Sequence, residues 1–209
     1  PIGASGAILA VRLWHELQAE PPDATRIAAI AAAGGLGRFR RGELIHRLLQ
    51  LLPDLPPEAR HSAAERWLAR EKDLSPEQRR EMIGAAFGVL DDARFAAVFG
   101  PGSRAEAAVA GTSPEFPPGL AISGRVDRML VSEEKILVVD FKTNRPAPDR
   151  IDNADPAYLT QMALYVAALR VVFPDRPVEG ALVWTDGPKL MPVPEEVVRS
   201  RLTALRRAC

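Results

Sequence analysis

Residues 136 to 142 read Ile136-Leu137-Val138-Val139-Asp140-Phe141-Lys142, four apolar residues in an unbroken run followed by an acid, an aromatic and a base. A strand with no polar alternation must be covered on both faces, so the chain is expected to build an α/β fold with helices on either side of a sheet. Successive strand side chains point to opposite faces, so Asp140 and Lys142 share one face and Phe141 takes the other. Charges at the end of a doubly covered strand are not ordinary surface charges. A second acid, Asp127, lies in Gly124-Arg125-Val126-Asp127-Arg128, and Ser132-Glu133-Glu134 joins this segment to the apolar run as a hairpin would. Two carboxylates brought together there would repel unless a divalent cation, which prefers hard oxygen ligands, lay between them. The spacing therefore predicts a metal site at a strand end.

The chain has 209 residues, 47% of them hydrophobic, enough for a substantial core. Its 27 basic and 27 acidic residues cancel, so attraction to a polyanion must be local rather than global. The single cysteine, Cys209, excludes internal disulfides, Cys-based zinc sites and iron-sulfur clusters within the chain. No apolar run reaches the roughly 20 residues of a membrane span, and no membrane partner is expected. The start, Pro1-Ile2-Gly3-Ala4-Ser5-Gly6, has neither an initiator Met nor the order of a signal peptide, so a piece of a longer intracellular protein is expected. A Gly-x-x-x-x-Gly-Lys-Ser/Thr loop is absent, and with it any ATP site of this kind.

Along the chain, helical patterns are expected at 7–19, 22–33, 42–52, 57–72, 75–90 and, briefly, 91–98. In the third, Ile45, Leu48, Leu49 and Leu52 form the apolar stripe and Pro53 stops it. Ser75-Pro76-Glu77-Gln78 carries an N-cap, an N1 proline and an early acid. At Gly100-Pro101-Gly102 the composition changes to strands, expected at 104–111, 120–131 and 135–142. A Pro- and Asp-rich loop, a helix at 156–172, strands at 180–185 and 189–193, and a helix at 194–207 complete the reading. The domains are thus a helical lobe at 1–100 and a core at 101–209, together one module.

Tyr158, Gln161 and Tyr165 fall three and four apart and share one face of the 156–172 helix. Such a face suits base stacking and phosphate contact, although tyrosines that merely pack a helix on a sheet show the same spacing. His46 borders the apolar stripe of 42–52, where a lone histidine is ordinarily a core or rim residue. Glu106 opens the strand region and by itself is a surface glutamate. Arg125 and Arg128 flank Asp127 and serve either charge balance or phosphate contact.

Taken as an ordered set, Arg41-Gly42-Glu43-Leu44-Ile45-His46-Arg47-Leu48-Leu49, Gly124-x-x-Asp127-Arg128, Asp140-Phe141-Lys142-Thr143 and Gln161-x-x-x-Tyr165 resemble the RecB-type nuclease domain of the PD-(D/E)XK superfamily. More narrowly, they resemble the C-terminal nuclease domain of the AddA helicase-nuclease subunit of bacterial double-strand break repair. The resemblance spans about residues 38–190. It implies a restriction-endonuclease-like α/β core, a mixed central sheet flanked by helices, with the N-terminal helical lobe at 1–100 packing over the active site. It also implies that His46, Asp127, Asp140 and the main-chain carbonyl of Phe141 hold Mg2+ or Mn2+, with Glu106 linked to the metal or its surroundings. Lys142 would activate the attacking water, Gln161 and Tyr165 would complete the catalytic set, and Arg125, Arg128, Tyr158, Gln161 and Tyr165 would contact DNA.

The activity implied is a divalent-metal-dependent DNA exonuclease acting on single strands. A helicase motor earlier in the same chain and a second helicase-nuclease subunit would be its partners, and a bacterial cytoplasm, at the nucleoid, its location. Val126 stands where the superfamily's name puts proline. Three other readings compete: a free-standing RecB-like nuclease, an inactive nuclease fold that holds DNA or structure, and a helical interaction domain. The last accounts for residues 1–100 and leaves the buried acidic strand end without a reason.

Overall fold

The computed structural model describes residues 38–208, and the helices expected at 7–19 and 22–33 lie outside them. In chain order, α1 (Arg38–Leu51), α2 (Pro57–Leu68) and α3 (Pro76–Leu90) lead through a 3-10 turn at Ala93–Phe99 into β1 (Ser103–Gly111), β2 (Ile122–Val131) and β3 (Ile136–Lys142). Then follow α4 (Pro156–Val172), β4 (Val178–Trp184), β5 (Lys189–Val193) and α5 (Glu195–Ala208). The strands form one mixed sheet in sequence order. β1, β2 and β3 are antiparallel neighbours, β4 runs parallel to β3, and β5 returns antiparallel at the edge. The helical crossover through α4 is what a parallel pair requires.

The apolar run takes the centre of this sheet, as its composition demands. Val138 packs with α4 and α5 on one face, among Leu159, Met162, Val166, Leu182, Val198 and Leu202. Val139, Phe141 and Val183 pack on the other face against Leu44, Ile45, Leu48 and Leu49 of α1 and Met82, Ala86 and Val89 of α3. Each such fully buried aliphatic side chain stabilises the fold by roughly 1.5–3 kcal/mol before entropy is counted. The helices before the sheet thus share a core with it.

Local chemistry explains most element ends. Ser75 Oγ accepts from Gln78 N–H at 3.2 Å while Ser75 N–H donates to Gln78 Oε1 at 2.8 Å, a reciprocal cap that starts α3. Asp155 Oδ1 accepts from Ala157 N–H at 2.8 Å and starts α4 at the expected residue. α1 departs from expectation by beginning at Arg38, which leaves Gly42 inside the helix. A Cβ on Gly42 would lie 2.8 Å from Thr143 Oγ1, so the glycine lets α1 approach the end of β3. α2 ends at Leu68 instead of 72, and two successive turns, Glu71 N–H to Leu68 O and Leu74 N–H to Glu71 O, bring Leu74 into the core. The segment expected as a short helix at 91–98 is the 3-10 turn at 93–99. Among the described residues, no helix is long and apolar enough to cross a membrane.

Candidate active site

The site lies where β2 leaves β3. Their ladder runs from Val131↔Ile136 to Arg128↔Val139 and stops there. Beyond it, the Asp127 side chain takes the place of a ladder carbonyl, its Oδ2 accepting from Phe141 N–H at 2.7 Å. Asp127 Oδ1 faces His46 Nδ1 of α1 at 3.4 Å. The lobe reaches this point because α1 lies against the Phe141 face of β3, with the His46 and Phe141 rings edge to face at 6.1 Å. β3 and β4 remain paired through Lys142↔Trp184, so Asp140 and Lys142 project from a regular, buried strand end.

Asp140 and Lys142 form a buried ion pair on one face, as their spacing predicts. The Lys142 ammonium also lies 3.9 Å from the centroid of the Tyr158 ring, and the Tyr158 hydroxyl donates to Asn144 Oδ1 at 3.0 Å. A cation held between a carboxylate and an aromatic face has a fixed position. Burial lifts the Asp140 carboxyl above its ordinary range, and the Asp127 charge adds to this against the pull of Lys142. Burial opposes ionisation of Asp127 as well, but His46, Lys142 and the Phe141 N–H together hold it below the ordinary range. The two acids are therefore driven in opposite directions. Burial alone would depress the His46 imidazole, and the Asp127 carboxylate reverses this and raises it.

Other expected site residues take different places. Glu106 is half-buried within electrostatic reach of Asp127, His46, Arg47 and Arg125, and burial followed by Asp127 pushes its carboxyl up. Its φ of 52° is left-handed, an uncommon setting for a residue with a side chain. Arg125 is exposed and lies within electrostatic reach of Glu106. Arg128 is not: it is buried on the far side of β2, its guanidinium 5.0 Å from the Phe99 ring and its Nη1 donating to Ser103 Oγ at 3.1 Å. Strand alternation already places it opposite Asp127.

Tyr165 is likewise buried, its hydroxyl donating to the Arg125 carbonyl at 3.0 Å, and burial pushes that hydroxyl up to about 12. Gln161 is buried beside it, with Nε2 3.4 Å from the Tyr165 oxygen. The stacking platform expected of Tyr158 and Tyr165 is thus replaced by a tyrosine that holds β2 and one that holds Lys142. For Tyr165 the physical reason is that α4 is apolar nearly all round, with Leu159 and Gln161 through Leu169 buried; Tyr158 is half-buried and is engaged by Lys142, Trp184 and Asn144.

One group of residues received no role from the sequence. Arg41 joins Thr143 to Glu81, and Glu81 also pairs with Arg145, which approaches Asp186 at 3.4 Å. Burial raises Glu81, but Arg41 and Arg145 outweigh it and leave the carboxyl lowered. No local spacing announces this group, because Gly42, read as the start of the 42–52 helix, shows its close approach only once α1 lies against Thr143.

The donor set bears on whether a cation fits. Asp127 Oδ1, which faces His46, and Asp140 Oδ2, which is ion-paired with Lys142, are buried carboxylate oxygens without an aligned hydrogen-bond donor, and Gln161 Oε1 is a third buried oxygen without one. Among the described residues no three His, Cys, Asp or Glu side chains close into a cage. Two hard oxygens without a full cage suit a cation such as Mg2+, which keeps several waters and binds through one or two carboxylates. The residues present fit such a group.

A family model described as the PD-(D/E)XK nuclease superfamily matches residues 23–203. A search of curated proteins finds no match. A solved structure described as "Crystal structure of SSO0001" aligns at 15% identity over 84% of this chain and 87% of that one, with a TM-score of 0.36. The family match covers the lobe, the sheet and the acidic strand end alike, and the architecture is the mixed sheet between helices that the motifs imply. With Asp127, Asp140 and Lys142 gathered at one buried strand end, the chain belongs to the PD-(D/E)XK nuclease superfamily.

Proposed function

We propose that this chain is a divalent-metal-dependent DNA exonuclease, the nuclease module of a helicase-nuclease resembling the AddA subunit. The observation that carries the reading is the gathering of Asp127, Asp140 and Lys142, all buried, at the point where β2 parts from β3, with His46 facing Asp127. Asp127, Asp140 and the Phe141 carbonyl would hold Mg2+ or Mn2+, with His46 as an imidazole ligand that favours Mn2+ and Glu106 nearby. When bound, such a cation polarises the scissile phosphate and lowers the pKa of a coordinated water.

The rest is done by the protein's own side chains. Lys142 offsets charge that develops on the phosphate oxygens, from a position held by Asp140 and Tyr158. Tyr165 and Gln161 act by holding the Arg125 segment of β2, and Arg125 offers its exposed guanidinium to a strand phosphate. Because the net charge is zero, binding by this chain alone is weak and salt-dependent. A motor and a second subunit would raise the effective concentration of a single strand at the site. The ordered motifs around His46, Asp127, Asp140 and Gln161 support the helicase-nuclease setting, with a role in break repair in the bacterial cytoplasm.

End-labelled single-stranded DNA incubated with Mg2+, and in parallel with EDTA, tests the reading. Mononucleotides or short products released only with Mg2+ are expected. Degradation that persists in EDTA, or in the Asp140→Ala protein, would sink it.

A further inference from the structure

Arg41 touches none of the acids of the site, yet together with Arg145, which also reaches Glu81, it ties the lobe to the end of the strand carrying them. Its Nη1 donates to the Thr143 carbonyl at 2.9 Å, and its Nε and Nη2 donate to Glu81 Oε2 and Oε1 at 3.0 and 2.6 Å. One planar fork thus spans α1, α3 and the residue that follows Lys142. Its side chain is only 16% exposed, so this is not a mobile surface charge. Neighbouring contacts leave little slack: Gly42 approaches Thr143, and on the opposite edge Thr185 N–H donates to the Lys142 carbonyl at 3.0 Å.

We propose that Arg41 is a positioning residue that sets Lys142 and the Phe141 main chain for phosphodiester hydrolysis, an inference that rests on the nuclease reading. Fixing the peptide after Lys142 fixes where the ammonium can lie between Asp140 and the Tyr158 ring. A guanidinium can serve a carbonyl and a bidentate carboxylate together because its five donors lie in one rigid plane. A lysine has a compact ammonium on a flexible stem and cannot bridge the same three acceptors. Displacing a catalytic group by about 1 Å costs roughly 100-fold in rate, while substrate held elsewhere is unaffected.

The test compares Arg41→Lys, Glu81→Gln and, as control, Arg40→Lys, whose side chain pairs with Glu43 and Glu71 on the lobe. For hydrolysis of end-labelled single-stranded DNA in Mg2+, Arg41→Lys should lose about 10- to 100-fold in kcat. KM, and anisotropy-measured binding in Ca2+, should stay within about twofold, because the lost interaction acts on the transition state. Glu81→Gln should show a smaller loss of the same kind, and Arg40→Lys none. Amide hydrogen exchange at Thr143 to Arg145 should quicken in Arg41→Lys and not in the control.

Wild-type kcat in Arg41→Lys, unchanged exchange, or a loss matched by the unfolded fraction in a melting curve would overturn the proposal and leave the nuclease reading intact. If Arg41→Lys does not fold, Glu81→Gln decides, and wild-type kcat in it would overturn the proposal. A wild-type protein that hydrolyses no DNA with Mg2+ or Mn2+ would overturn both.

Discussion

The two sides of β3 differ in regularity. Toward β4 the pairing continues to the last residue, Lys142↔Trp184, and every residue of the strand but Leu137 is buried. Toward β2 it stops at Arg128↔Val139, an aspartate side chain replaces the ladder, and in β1 Glu106 takes a left-handed backbone. The regular side supplies rigidity, since every peptide group there is satisfied by a neighbour. The irregular side supplies room, because only where the ladder opens can a carboxylate stand beside Phe141 with one oxygen left over. A site that must fix an acid and a lysine while admitting a cation and a phosphate needs both conditions at one strand end.

The largest effects should come from the regular side. Asp140→Ala and Lys142→Ala should each lower DNA hydrolysis by about 100- to 1000-fold or more, the scale seen when one transition-state donor is removed. Because each removal leaves its partner buried and uncompensated, melting temperatures should fall as well, and hydrolysis measured on the folded fraction should still show the full loss. If hydrolysis falls only in step with melting temperature, the regular side is merely structural.

On the irregular side, Asp127 has two jobs that substitution can separate. Asp127→Asn keeps an oxygen for the Phe141 N–H, whereas Asp127→Ala leaves that buried donor unsatisfied at a cost of about 1–3 kcal/mol. Both variants should lose hydrolysis, and urea unfolding should find Ala the less stable by that amount. Equal stabilities would mean that the side chain does not replace the ladder.

A smaller effect is expected at Tyr158, whose ring holds Lys142 from the α4 side. With a partly desolvated cation–π contact of about 1.4 kcal/mol, Tyr158→Leu should cost about tenfold in kcat. Tyr158→Phe should keep most activity because the ring face survives. Equal losses in the two variants would point to the Asn144 hydrogen bond instead.

The smallest effect concerns Glu106. Glycine removes the steric penalty of a left-handed residue, so Glu106→Gly should gain about 0.5–1 kcal/mol in stability where Glu106→Ala gains nothing. Lower activity in the stabilised variant would tie the strain to the site, since strained backbone clusters where function needs it.

Much of this was legible in the chain, and particular residues show why. The apolar run to Val139 required a strand covered twice, and alternation then placed Asp140 with Lys142 and Phe141 apart from them. The Ser75 cap, the α1 stripe and the start of α4 followed from contacts a few residues long, which local spacing records. The same local rules would have placed Arg128 away from Asp127 and Tyr165 in the core, but the resemblance assigned both to DNA contact.

Only the tertiary structure decided where β2 parts from β3 and that Arg41 reaches a carbonyl 102 residues away, whereas the meeting of His46 with Asp127 was implied by the ordered motifs and by no local spacing. Periodicity and capping are properties of neighbours along the chain, so they write element type and facing into sequence. The end of a ladder and the partner of a distant guanidinium depend on how whole elements pack, and a Gly at position 42 becomes informative only when Thr143 is found against it.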